Sequence, residues 1–135
     1  MSEFIWPVRV YYEDTDSGGV VYYANYLRFM ERARTEYLRH FGFEQDQLSA
    51  EVGVIFAVRS VEVDYRRPAR FNELLEVSAS IVQRGGASIT FHQEVRRNGE
   101  VLCSGRVKIA SLEAGTLRPV AIPKQIVSAM DAIEK

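Results

Sequence analysis

The sequence predicts an α+β domain in which one antiparallel sheet of about five strands lays its apolar face on one long helix. Three observations carry that expectation. Residues 4–12 and four runs between 54 and 112 alternate apolar with polar residues, as half-buried strands do. From Tyr23 to Phe41 the period changes to that of an amphipathic helix. Asn98-Gly99 separates two of the alternating runs and is the strongest short hairpin signal. A sheet apolar on one face and a helix apolar on one stripe each need cover, and stacking them covers both.

The first strand places Phe4, Trp6, Val8, Val10 and Tyr12 on one side, and Pro7 suits an edge or a bulge. The loop EDTDSGG follows, with acids, Ser and Gly where a helix start is expected. The helix, Tyr23 to Phe41, is about 28 Å long at 1.5 Å per residue, and Gly42 supplies its stop. On its wheel Tyr26, Phe29, Met30, Ala33 and Tyr37 share the apolar half with Arg34, while Asn25, Arg28, Glu31, Arg32 and Glu36 lie opposite. A charge inside that arc is costly unless compensated, so Arg34 is expected to pair with a carboxylate. Residues 44–53 read as one or two helical turns closed by Gly53. The strand over 54–66 shifts phase at Arg59–Ser60, which predicts a bulge. Strands over 74–84, 87–97 and 100–112 follow, with a turn at Gly85-Gly86 and a last short helix after Pro123. In the final strand Val101, Cys103, Val107 and Ile109 share a face.

At 135 residues and 15.4 kDa, residues 1–135 are expected to form one domain with a real core. A formal net charge of −1 gives no electrostatic reason to expect nucleic acid or an anionic membrane as partner. The single cysteine, Cys103, precludes an internal disulfide and fits a buried position in a reducing compartment. The N-terminus lacks the basic start and apolar core of a targeting segment. No run approaches the ~18 apolar residues of a membrane span. A soluble cytoplasmic protein without a transmembrane segment is the expectation.

The run from Tyr11 to Arg34, YYEDTDSGGVVYYANYLRFMERAR, joins WPVRVYYEDTD before the helix, VDYRRPARFNELLEV in the middle and RPVAIPK near the end. Together they resemble the hotdog-fold acyl-CoA thioesterases of the 4-hydroxybenzoyl-CoA thioesterase and YbgC-like branch, over nearly the whole chain. The resemblance implies a hotdog fold, a homodimer or dimer-based homotetramer, and active sites at subunit interfaces. It implies hydrolysis of short-chain or aromatic acyl-CoA thioesters to free acid and CoA, without metal or redox cofactor. It matches the family's catalytic aspartate to Asp16, and to Tyr23 the peptide N–H that polarises the thioester carbonyl. Gly19, Val20 and Tyr22 are expected to contact substrate. So is Arg84, because the corresponding turn meets nucleotide phosphate in relatives. Arg66, Arg67 and Arg70 are further phosphate candidates. Many YbgC-like members carry histidine where this chain has Tyr23, so no imidazole role carries over.

These residues also make chemical sense by themselves. Thioester hydrolysis needs activated water or a nucleophile, a stabiliser for the oxyanion and a slot for the acyl group. A carboxylate can serve as general base or as nucleophile, and the sequence leaves that choice open. The first N–H groups of a helix have no intrahelical partner and carry partial positive charge, which suits a developing oxyanion. Gly18 and Gly19 let backbone and ligand approach closely. By local physics alone, Asp16 or Ser17 reads first as a plain helix cap, and the family resemblance reverses that reading. Glu13 and Asp14 are expected to be scaffold. A hydratase on the same fold would use a histidine with an acid, and neither His40 nor His92 lies near the helix start. Ser17 lacks the nucleophile elbow of a serine hydrolase. The alternative of another class is a non-catalytic module for acyl carrier protein or lipid-synthesis enzymes. The acyl group, CoA or acyl carrier protein as carrier, and dimer or tetramer are left open by the sequence.

Overall fold

The computed structural model describes residues 3–134. Its elements run β1 (Phe4–Arg9), α1 (Tyr23–His40), α2 (Gln45–Gln47), β2 (Val54–Tyr65), β3 (Leu74–Arg84), β4 (Ser88–Arg97), β5 (Glu100–Glu113) and α3 (Lys124–Glu134). The strands form one sheet in the order β1-β3-β4-β5-β2, each pair antiparallel. Helix α1 lies against β1, β3 and β4. It buries Tyr26, Phe29, Met30, Ala33, Tyr37 and Leu38 in one cluster with Val77, Ala79, Phe91 and Val107 of the sheet. The Tyr37 ring meets Phe91 edge-on at 5.7 Å, a favoured aromatic geometry.

The helix can come this close only where the sheet is bare. A Cβ added to Gly105 of β5 would lie 3.2 Å from Met30 Cε and 3.4 Å from the Glu62 carbonyl oxygen. Gly105→Val should therefore lower stability by about 1–3 kcal/mol through overpacking. The check is a lower urea midpoint with an unchanged slope.

Several expected turns are present with their expected chemistry. Asn98 and Gly99 adopt φ of 50° and 81°, the left-handed pair of a two-residue hairpin. The bulge falls at Arg59, between the pairs Val58↔Ile109 and Ser60↔Lys108. Gly53, at φ 76°, ends the turn over 48–52. Cys103 is fully buried, and burial pushes its thiol up to about 12.

Three differences from expectation have local causes. β1 ends at Arg9, because the chain curls into a turn over Tyr12–Asp14. The Asp14 carboxylate accepts the Tyr11 N–H at 2.8 Å, and Tyr12 swings out to stack on Phe71 with ring centroids 3.7 Å apart. In β5, the pairs Val95↔Cys103 and Arg96↔Val101 leave Leu102 unopposed. Both Leu102 and Cys103 are consequently buried, and the freed Leu102 carbonyl accepts the N–H groups of Arg66 and Arg67. Arg34 is buried as expected, but its Nη1 donates to the amide Oε1 of Gln93 at 2.9 Å. No described carboxylate forms an ion pair with it.

Helix α3 covers the β3–β4 turn. It buries Ile126 and Met130 four residues apart, the spacing of one helical face. The Ile122 N–H donates to the Gly86 carbonyl at 2.9 Å.

Candidate active site

The loop between β1 and α1 is a closed hairpin. Thr15 bridges Val21, Asp16 N–H donates to the Val20 carbonyl at 3.0 Å, and Gly19 N–H donates back to the Asp16 carbonyl at 3.0 Å. Gly19 takes φ 79°, where a side chain would be strained. The exposed Asp16 carboxylate accepts the Gly18 N–H through Oδ1 at 2.8 Å, which fixes its direction locally.

Two anchors hold this hairpin to the body. Asp14, buried, receives Tyr22 N–H and the Asn25 side-chain amide on its carbonyl, both at 2.9 Å. On the other side, Val21 N–H donates to the Ala69 carbonyl at 2.8 Å and Val20 bridges Arg70. Segment 66–73 is in turn pinned to α1, because the Tyr26 hydroxyl accepts the Ala69 N–H at 2.9 Å. Tyr26→Phe should cost about 1–2 kcal/mol by leaving that buried N–H unpaired. Faster amide exchange at Ala69 would locate the loss.

The start of α1 is uncapped. Its N-cap residue is Tyr22, at φ −62° and ψ 132°, with no side-chain cap. Asn25 N–H bonds the Tyr22 carbonyl at 2.8 Å, while the N–H groups of Tyr23 and Ala24 have no backbone partner among the described residues. Neither Asp16 nor Ser17 therefore acts as the helix cap.

Around this start stands an exposed aromatic group. The Tyr22 and Tyr23 rings lie 4.7 Å apart, and Tyr23 meets Tyr65 of β2 edge-on at 6.0 Å. Hydrogen bonding to Tyr23, with the Asp16 carboxylate also in range, holds the Tyr22 phenol above its ordinary value. Tyr26 and Phe29 are ordinary core, 3% and 0% exposed. Sequence reasoning did not single out Tyr65. Its one signal was its position at the end of β2, just before the Arg66-Arg67-Pro68 connection.

The candidate residues thus divide. Asp16, Gly19, Val20, Tyr22 and Tyr23 occupy one loop and helix start, with Arg70 beside it. Arg70 makes no ion pair among the described residues, whereas Arg66 pairs with Asp64 and Arg67 with Glu100, each at 3.0 Å. Arg84 stands apart at the far end of β3, about 33 Å from Leu74 at 3.3 Å per residue. There it is paired with Asp131 of α3. His40 lies at the other end of α1, against Phe4 and Phe41.

A five-stranded antiparallel sheet in this order, with the long helix on its apolar face, is the hotdog fold. The same fold is seen in a 1,4-dihydroxy-2-naphthoyl-CoA thioesterase from Synechocystis, with a TM-score of 0.90 over 99% of both chains at 18% identity. The chain belongs to the thioesterase superfamily, whose family model matches residues 18–104, and it is a thioester hydrolase. It is 47% identical over 126 residues to the acyl-CoA thioesterase YbgC of Haemophilus influenzae, with 93% of each chain covered. The crystal structure of a probable thioesterase from Bartonella henselae is 34% identical, with a TM-score of 0.87 over 90% of this chain and 100% of that one.

Proposed function

We propose that this enzyme hydrolyses short-chain or aromatic acyl-CoA thioesters to the free acid and CoA, using Asp16 and the N–H of Tyr23. The observation that carries the reading is the hairpin 16–22, which joins an exposed carboxylate to a helix start that no side chain caps. The choice of acyl-CoA rests on the similarity to YbgC enzymes.

In this mechanism the thioester carbonyl accepts the Tyr23 N–H, a bond that strengthens as the oxygen becomes an oxyanion. As general base, Asp16 takes a proton from water while the water oxygen bonds to the carbonyl carbon. As nucleophile, its carboxylate forms an anhydride that water then opens. In both routes the C–S bond breaks and the CoA thiolate leaves with the electron pair and is protonated. The rings of Tyr22, Tyr23 and Tyr65 line the acyl entry. Arg70, which bridges Val20 and makes no ion pair among the described residues, would meet a CoA phosphate.

A homodimer belongs to this reading. Edge strand β2 exposes Val58, Val61 and Tyr65, and an open apolar edge favours pairing with another strand. Arg84, too far along β3 to reach Asp16 of its own chain, would serve a CoA bound to a second copy.

Thiol release should be measured across aliphatic and aromatic acyl-CoA substrates, with matched acyl-carrier-protein thioesters alongside. Turnover of at least one acyl-CoA is expected, faster than its carrier-protein counterpart. Silence on every acyl-CoA would remove the proposal.

A further inference from the structure

The rings of Tyr12 and Phe71 stack on the surface, 3.7 Å apart and 10° from parallel. Tyr12 is 74% exposed and Phe71 39%, so Phe71 covers one face of the Tyr12 ring and the other is open to solvent. Contiguous exposed rings mark an interaction site, whereas scattered ones need no explanation. With Arg9, Glu13 and Asn72 they line an open cleft of about 440 Å³, a volume that suits a small organic ligand. The cleft lies between the end of β1 and the 70–73 turn, and no lining residue belongs to β2.

The polar groups around the rings narrow the ligand. Arg9 and Arg70, the residue before Phe71, are exposed and make no ion pair among the described residues. Arg9 donates through Nη1 to the Asn72 carbonyl at 2.8 Å, which holds it at the cleft. Glu13 is the one acid among the lining residues, so the arginines are in excess. Guanidinium groups beside an open ring suit phosphate attached to a flat base. Asn72 adds a choice of base. Its backbone is left-handed, at φ 69°, and its N–H donates to the Val10 carbonyl at 2.9 Å. Its side-chain amide makes no hydrogen bond among the described residues, and such an amide can pair with the N6 and N7 edge of adenine.

We propose that this cleft binds an adenine nucleotide, either free or as the nucleotide end of CoA. The base stacks on the open face of Tyr12 with its N6–N7 edge toward Asn72, and the phosphates lie on Arg9 and Arg70. Four residues separate Tyr12 from Asp16, so their Cα atoms are at most about 14 Å apart, and Arg70 bridges Val20 of the Asp16 hairpin. A nucleotide here is therefore within reach of a thioester at Asp16 through the pantetheine arm. The CoA source rests on the function proposed above; the stacking site does not.

Adenosine 3′,5′-bisphosphate, the nucleotide of CoA, and its guanosine counterpart provide the test, titrated into the full chain while backbone amide shifts are followed by NMR. The adenosine compound is expected to shift residues around Tyr12 and Asn72 saturably, at least fivefold more tightly than the guanosine compound. Tyr12→Ala should weaken it at least fivefold with dispersed spectra retained, and Tyr12→Phe, which keeps the ring, should bind like wild type. Asn72→Gly, which keeps the left-handed backbone and loses the amide, should erase the preference for adenine. The source is read from turnover. A KM for acyl-CoA that rises with added bisphosphate in wild type, and rises less in Tyr12→Ala, assigns the cleft to the CoA end; an unchanged KM assigns it to a free nucleotide. The binding measurements need no turnover, so they are read independently of the acyl-CoA assignment. Undiminished binding in Tyr12→Ala, or equal affinity for the guanosine compound, overturns the site. So does the absence of any response in wild type, as would follow if a second copy covered the rings.

Discussion

Replacing Asp16 with Asn is expected to lower kcat/KM on the best acyl-CoA by about a thousandfold, within the range a positioned general base contributes. The substitution is nearly isosteric. Its side-chain oxygen can still accept the Gly18 N–H that now bonds Asp16 Oδ1 at 2.8 Å, so the hairpin should keep its shape and the protein its Tm. An amide neither takes a proton from water nor attacks a thioester, so the loss falls on the chemical step whichever route operates. KM should change little, because the acyl slot and the helix start remain. A single-turnover reaction in oxygen-18 water separates the routes. Label appearing in the protein carboxylate indicates the anhydride, opened by water at the Asp16 carbonyl, whereas the base route puts label in the product acid alone. Wild-type turnover by Asp16→Asn would discard the mechanism altogether.

What was legible in the sequence follows from how local each feature is. The period of α1, the Asn98-Gly99 turn and the bulge at Arg59 are written in neighbouring residues, and the structure has them where expected. The loop carrying Asp16 was legible for the same reason, since its hydrogen bonds close within seven residues. Features that depend on distant partners were not. Tyr65 joins the aromatic group only because β2 ends beside the start of α1. The bulge at Leu102 depends on the register between two strands, which no periodicity within one of them displays. Gln93 shares the phase of Ile89, Phe91 and Val95 on β4 and is 0% exposed, but only the fold brings Arg34, 59 residues away, to its amide. The expectation of a carboxylate at Arg34 was right about the need for a partner and wrong about its charge.

That pairing supports the largest stability effect we expect. Gln93 accepts from Arg34 through Oε1 and donates through Nε2 to the carbonyls of Met30 and Ser78, at 2.9 and 3.2 Å. It therefore ties α1 to β3 from the middle of β4. Gln93→Leu would leave a buried guanidinium with no described partner, and it would also remove a donor from two buried carbonyls. We expect a loss of about 3–5 kcal/mol, the scale of breaking a buried charged interaction from one side. Arg34→Met removes the charge and strands only an amide oxygen, so it should cost less, about 1–3 kcal/mol. The double variant Arg34→Met/Gln93→Leu should recover much of the single Gln93→Leu loss, because apolar replacement of both partners removes the uncompensated charge. Urea unfolding of the three variants gives the order directly, and the coupling follows from the double-mutant cycle. If Gln93→Leu proved no worse than Arg34→Met, the Arg34 guanidinium would have compensation other than Gln93.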